Sequence, residues 1–265
     1  MTKRSSGFIS ALSFLTIITV NAVNESDNGI ASFTLVGFIV GLISAILFYI
    51  TYTFIDPLLA SAVAVSSLML LSGFNHVDAV LDTGDAIMVR GTKERKREVI
   101  KDKYIGAGGV GSFFIIYLVL FAALPGLGSI NGSISLVVVE TASKFIMVYS
   151  LHHAKVFSAG FALHFRDQLD SRFLRNITLN IIPLFLLLFF SFPLTIIPFA
   201  ISFVIIIAVG RRINSLMDGI NGDIIGFMGE LYRTIATVGI LIEIKLFPLF
   251  SLTLIHFLMA QIGLH

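Results

Sequence analysis

Apolar runs occupy residues 33–52, 58–72, 110–127, 134–151, 177–192, 194–209 and 234–264, the last broken by Glu243, Lys245 and Pro248. A helix crossing a bilayer needs about 20 apolar residues, so several of these runs locate a span only to within a turn. The two-residue alternation of a membrane barrel strand is absent. Backbone groups in lipid must therefore satisfy one another within helices. The pattern predicts an all-α, polytopic integral membrane helical bundle of about seven spans. Residues 1–265 read as one membrane-embedded domain, without an internal repeat or a soluble portion. Pro57, Pro125, Pro183, Pro193, Pro198 and Pro248 fall near run ends or mark kinks, and Pro193 is expected in a tight hairpin between two spans.

Composition supports lipid as the main solvent: 56% of residues are hydrophobic, 13% are charged, and the mean hydropathy is +0.96. With no cysteine, disulfides, thiolate catalysis and thiolate-bound metals are excluded. The net charge of +2 is too small to point to nucleic acid.

Basic residues cluster by loop. There are seven in residues 73–109, four in 152–176 (Lys155, Arg166, Arg172 and Arg175) and three in 210–233, against none around Asp56 or in 125–132. The positive-inside rule puts the three rich segments in the cytoplasm of a multi-pass protein of the cell (plasma) membrane. Residues 8–20, preceded by Lys3 and Arg4, would invert that arrangement if they crossed the bilayer. They read instead as an N-terminal interfacial or re-entrant helix that is not cleaved as a leader. Every polar group of interest then faces one side.

The run Asn75-His76-Val77-Asp78-Ala79-Val80-Leu81-Asp82-Thr83-Gly84-Asp85 carries the densest chemistry. At about 100° per residue, Asp78, Asp82 and Asp85 share one helical stripe. Three crowded carboxylates near a low-dielectric region take up protons or recruit a cation, and a divalent metal with a phosphorylated ligand satisfies all three. The plain alternative is a solvated acidic turn. His76 falls across an ideal helix from the Asp stripe, and serves as a proton acceptor only if the helix begins after it.

Residues 92–103 read as a short amphipathic helix capped by Thr92, with most of its charges, Lys96 included, on a solvated face. Lys101 precedes a glycine-rich turn (Gly106, Gly108, Gly109, Gly111) that opens the next run. Helix-start amides beside an ammonium can receive phosphate oxygens, and the same glycines can equally serve close helix packing. Asp218-Gly219-Ile220-Asn221-Gly222-Asp223, preceded by Arg211 and Arg212, suits a second metal or nucleotide contact or a plain turn. His152, His153 and His164 lack the spacing of a zinc site and are expected at the interface.

With these residues in view, the chain resembles the cobalamin synthase family, membrane enzymes known as adenosylcobinamide-GDP ribazoletransferases. That family carries His-x-Asp-Gly-x-x-Asp-Thr-x-Asp-Gly, then Lys-Asp-x-x-Ile-Gly-x-x-Gly, then Gly-x-x-Gly-Asp. Here the order is kept as His76-Val-Asp78-Ala-Val-Leu-Asp82-Thr83-Gly-Asp85-Ala, then Lys101-Asp102-Lys-Tyr-Ile105-Gly106-Ala-Gly-Gly109, then Gly219-Ile-Asn-Gly222-Asp223. Weaker likenesses are Ser13-Phe14-Leu15-Thr16 and Leu35-Val36-Gly37. Ala79 and Ala86 replace usual glycines, Ile17 and Tyr104 usual arginines, and Asn221 a usual threonine.

The resemblance implies one transferase domain that joins α-ribazole or its 5′-phosphate to adenosylcobinamide-GDP, releasing GMP late in cobalamin (vitamin B12) biosynthesis. It implies Mg2+ held by Asp78, Asp82 and Asp85, with one carboxylate or His76 taking the hydroxyl proton. Substrate contacts fall to Lys101, Asp102, Gly106, Arg211 or Arg212, Asn221 and Asp223. The expected partners are these two substrates and the lipid bilayer, and assembly into a homo-oligomer is compatible with the pattern. Other metal-dependent membrane transferases fit less well. CDP-alcohol phosphotransferases require Asp-x-x-Asp-Gly-x-x-Ala-Arg and aromatic prenyltransferases Asn-Asp-x-x-Asp-x-x-x-Asp, and neither occurs here. A transporter would carry its acidic residues in mid-span, not beside a basic loop.

Overall fold

A computed structural model of the chain describes residues 7–18, 28–157, 160–191 and 195–246. A nine-residue helix, α1 (Gly7–Leu15), comes first and is too short to cross a bilayer. The later part of the expected 8–20 helix lies outside the described residues. A turn of 3-10 helix (Gly29–Ser32) leads into α2 (Phe33–Phe54), and α3 (Pro57–Leu71) returns. The start of α3 follows from local chemistry. Pro57 has no N–H to lose at the first helical position, and Asp56 accepts from the N–H groups of Leu58 at 2.8 Å and Leu59 at 2.9 Å.

The chain then bends by 91° into α4 (Asn75–Met88). Gly73 and Phe74 make the bend in the left-handed region, at φ 62° and 59°. For Phe74 that conformation is strained. Next come α5 (Lys93–Val99), α6 (Ala107–Ala123) with a closing 3-10 turn (Leu124–Leu127), and α7 (Ser129–His153). The chain continues through α8 (Phe161–Ser171), α9 (Phe173–Phe190), α10 (Ile196–Met217) and α11 (Gly222–Leu246). Among the described residues there is no strand, only a single parallel bridge between Val156 and Ile220.

Six helical segments are long and apolar enough to cross a membrane, and seven if the bent α3–α4 pair is one span. Their packing is layered. Buried positions make up 78% of the most apolar window of α7 and 72% of that of α11, against 17% in α9 and 22% in α10. Thus α7 and α11 form the interior pair. The outer helices turn Phe185, Phe189, Ile197, Ile201 and Val204 outward, as lipid-facing surfaces require.

Close approach of α2 to α7 depends on Gly41, where an added Cβ would sit 2.9 Å from the Leu136 carbonyl oxygen. The irregular backbone ahead of α2 is satisfied by α9: Asn180 accepts from the Thr34 N–H at 3.1 Å and donates to the Ile30 carbonyl at 2.9 Å.

Two expectations change. The run expected at 234–264 belongs to a helix that already starts at Gly222, because its polar residues are paired inside the bundle; residues 247–264 lie outside the described residues. Pro193 also lies outside them. The amphipathic helix expected over 92–103 ends at Val99, with Thr92 capping it as anticipated by accepting from the Arg95 N–H at 3.3 Å.

Candidate active site

The bend at Gly73 and Phe74 aims α4 across the end of the bundle, between α6 and α11. Val77, Ala79, Val80, Thr83, Gly84 and Ala86 face inward, which leaves Asp78 exposed and Asp82 and Asp85 half-buried on the other side. The stripe forms as the spacing requires. Its three members have different surroundings.

Asp85 is engaged by α6. Its carboxylate accepts from the N–H of Gly106 at 2.6 Å and of Gly109 at 2.8 Å, so it caps that helix from outside. The helix-start amides available to phosphate on sequence grounds therefore already hold an anion belonging to the protein. The glycines serve packing: a Cβ on Gly109 would meet the Leu81 carbonyl oxygen at 2.5 Å.

Asp82 lies in the field of Asp78, Asp223 and Asp85. Asp223 comes from the start of α11, where Asn221 caps the helix by accepting from the Ile224 N–H at 3.1 Å and donates to Asp223 at 2.7 Å. Among the described residues none of these four carboxylates has an ion-pair partner. Nor do any three His or acidic side chains there converge as a ready-made metal cage.

The remaining sequence candidates divide. Lys101 is exposed in the loop between α5 and Gly106. Asp102 shapes that same loop, accepting from the Tyr104 N–H at 3.3 Å. Arg211 and Arg212 are exposed on α10, and Arg211 lines a separate cavity of about 200 Å³ with Tyr149 and His153. Lys96 is not on a solvated face. It is 7% exposed, and its ammonium donates to the carbonyls of Ala86 (3.2 Å), Ile87 (3.0 Å) and Val89 (2.5 Å), closing the C-terminus of α4.

The polar loops meet at this end of the bundle. Arg97 donates to the Met217 carbonyl at 2.5 Å and pairs with Asp218 at 3.1 Å, and Lys155 reaches Asp218 at 3.0 Å. The hydrogen bond from Lys155 and its charge, with help from Arg97, hold the Asp218 carboxyl below the usual carboxylate range.

His76 sits inside α4, not ahead of it, and is buried. Its Nδ1 is 3.4 Å from both Glu230 and Lys144. Lys144 pairs with Glu140 at 2.8 Å; Arg233 donates to Glu140 at 2.6 Å and pairs with Glu230. This buried network was not anticipated. The basic segment 210–233 takes in both Glu230 and Arg233 as loop charges, and the apolar run 134–151 takes in Glu140 and Lys144. Opposite charges three or four residues apart, Glu140 with Lys144 inside an apolar run and Glu230 with Arg233 just ahead of one, were the available signal. His76 also lines, with Asn75 and Asp223, a cavity of about 400 Å³.

A family profile described as cobalamin-5-phosphate synthase matches residues 7–241. The chain belongs to that family. Members named adenosylcobinamide-GDP ribazoletransferase include a protein of Picrophilus torridus, 43% identical over 253 residues, covering 91% of this chain and 99% of the relative. One of Thermoplasma acidophilum is 37% identical over 232 residues (86% and 89%), and one of Thermoplasma volcanium 33% over 231 residues (87% and 88%). No solved structure matches. The cobalamin-5-phosphate synthase match takes in all four carboxylates, the Lys101 loop and the buried network.

Proposed function

We propose that this chain joins α-ribazole, or its 5′-phosphate, to adenosylcobinamide-GDP with release of GMP. What carries the reading is the near full-length likeness to relatives of that named activity, together with carboxylates from two distant motifs, Asp78 and Asp82 with Asp223, lying within electrostatic range of one another at one end of the bundle.

In this reaction a ribose hydroxyl attacks the corrinoid-side phosphorus of the diphosphate. One P–O bond forms, the P–O bond to GMP breaks, GMP leaves with the electron pair, and the hydroxyl proton passes to a base. Asp223 is placed for that proton, since it lines the cavity and lies in the same field as Asp82. Lys101 supplies positive charge toward the leaving phosphate. Asp85 positions the site by locking α6 to α4.

The donor set fits Mg2+. Asp78 and Asp82 offer hard oxygens without an ion-pair partner among the described residues, and this metal accepts one or two carboxylates while keeping substrate oxygens and water, which leaves Asp223 for the proton. When bound it would neutralise phosphate charge. A dinuclear or all-protein cage is not required by this chemistry.

The same reading places the protein in the plasma membrane with the site toward the cytoplasm, because the loops bearing Lys101, Lys155 and Arg211 hold most of the basic residues. Since the chain has no cysteine, a single cysteine at position 95 reports sidedness; labelling only from outside intact cells overturns that placement.

The reaction is tested with purified protein, adenosylcobinamide-GDP, α-ribazole and magnesium. GMP release that requires all three supports it, and no GMP from folded protein refutes it.

A further inference from the structure

Four phenylalanines from three separate elements border the cavity beside Asp223. Phe14 belongs to α1, Phe33 to α2, and Phe161 and Phe165 to α8. The Phe14 ring centroid lies 5.0 Å from Phe161, 4.6 Å from Phe165 and 6.1 Å from Phe33, and Phe33 meets Phe165 edge-on at 5.0 Å. Phe33 and Phe165 are buried, at 1% and 4% exposure, whereas Phe161 is 65% exposed and stands at the opening. An aromatic cluster serving only as core would close upon itself. This one borders about 400 Å³ of open volume, the size of a small-molecule site.

We propose that this cavity is the acceptor site, where the aromatic base of a ribonucleoside packs on Phe14 and Phe161 and its ribose faces Asn75 and Asp223. The proposal rests on the transfer reaction above. It adds which part of the protein holds the acceptor and which way round. Polarity sets the orientation: ribose hydroxyls among four phenylalanines would lose their hydrogen bonds, and among the described residues the acidic side chain on the wall is Asp223. Since Asp223 shares its field with Asp82, a base lodged among the rings directs the ribose toward the carboxylates of α4.

The wall also selects the base. Against Phe14 and Phe161 a base finds stacking without hydrogen bonds, so with the ribose turned to Asn75 and Asp223 a base with apolar edges fits there better than guanine, whose amide edge would lie among rings. The acceptor nucleoside is thereby kept apart from the guanosine carried by the donor.

The test is equilibrium dialysis of labelled α-ribazole and of guanosine against the purified full-length chain in nanodiscs, with GMP release measured in parallel. Phe161→Ala removes an exposed ring and Ala79→Leu fills the cavity from α4, while Ile197→Ala, on the outer surface of α10, is the control. Expected are α-ribazole binding weakened about tenfold by Phe161→Ala, the size of a lost base–aromatic contact, and little change with Ile197→Ala. Guanosine should bind wild type at least about tenfold more weakly than α-ribazole.

Should Ala79→Leu fail to melt cooperatively, Phe161→Ala decides alone, because its side chain lies largely outside the core. Unchanged α-ribazole binding in folded Phe161→Ala, or no binding by wild type, overturns the cavity assignment even if GMP is released. Binding that is lost in Phe161→Ala while wild type releases no GMP upholds the cavity and refutes the transfer reaction.

Discussion

Asp85 on α4 caps α6 by accepting the Gly109 N–H at 2.8 Å, joining two helices through one carboxylate. One of the three acidic residues of the stripe thus joins two helices, while Asp78 and Asp82 have no ion-pair partner among the described residues. The distinction separates stability from chemistry at neighbouring positions.

Asp85→Ala leaves two α6 amides without their acceptor and should cost about 1–2 kcal/mol, seen as a lower melting temperature in detergent. Asp85→Asn should recover part of it, since an amide oxygen still accepts. Asp78→Ala, at an exposed position, should change stability by less than about 0.5 kcal/mol. Equal destabilisation by Asp78→Ala and Asp85→Ala would dissolve the distinction.

Asp82→Asn should abolish turnover without lowering the melting temperature. The substitution keeps the side chain's shape and removes one of several mutually repelling carboxylates. Near-normal magnesium-dependent GMP release from Asp82→Asn would take this residue out of the mechanism.

Lys101→Ala should weaken use of the nucleotide-activated corrinoid, raising its KM or lowering kcat, with stability unchanged. Arg95→Ala is the matched control, because Arg95 is exposed and, among the described residues, ion-paired with Glu98 alone at 3.2 Å. Lys96→Ala cannot serve that purpose: losing three carbonyl contacts, it should melt earlier by the equivalent of about 1–3 kcal/mol. Equal, small kinetic effects of Lys101→Ala and Arg95→Ala would reduce Lys101 to a topology signal.

Removing Arg233 alone should be severe. Arg233→Met leaves Glu140 and Glu230 buried with Lys144 as their remaining cationic partner and should cost about 3–5 kcal/mol. Deleting Glu230 as well, as Arg233→Met with Glu230→Gln, restores balance around Glu140 and Lys144. The double variant should melt above Arg233→Met alone, and strictly additive losses would show that the charges are not coupled.

Much of this architecture could be read along the chain. The apolar runs, the Pro57 and Thr92 helix starts and the common stripe of Asp78, Asp82 and Asp85 depend on composition and on a helical period, which are properties of consecutive residues. Family membership was legible for a similar reason, since three motifs keep their order and spacing. The division of labour within the stripe was not. Whether Asp85 meets Gly109, 24 positions away, or Glu140 meets Arg233, 93 positions away, is set by how far each helix is rotated and slid against its neighbour. Lys96 looked solvated because helical spacing reveals neighbours on one helix and not the carbonyls ending another. The bend at Phe74, which turns α4 across the bundle, likewise arises in a residue with no intrinsic preference for it. Local pattern decided which residues carry charge and where helices form. Packing between helices decided which of those charges are spent on one another and which are left without an ion-pair partner among the described residues.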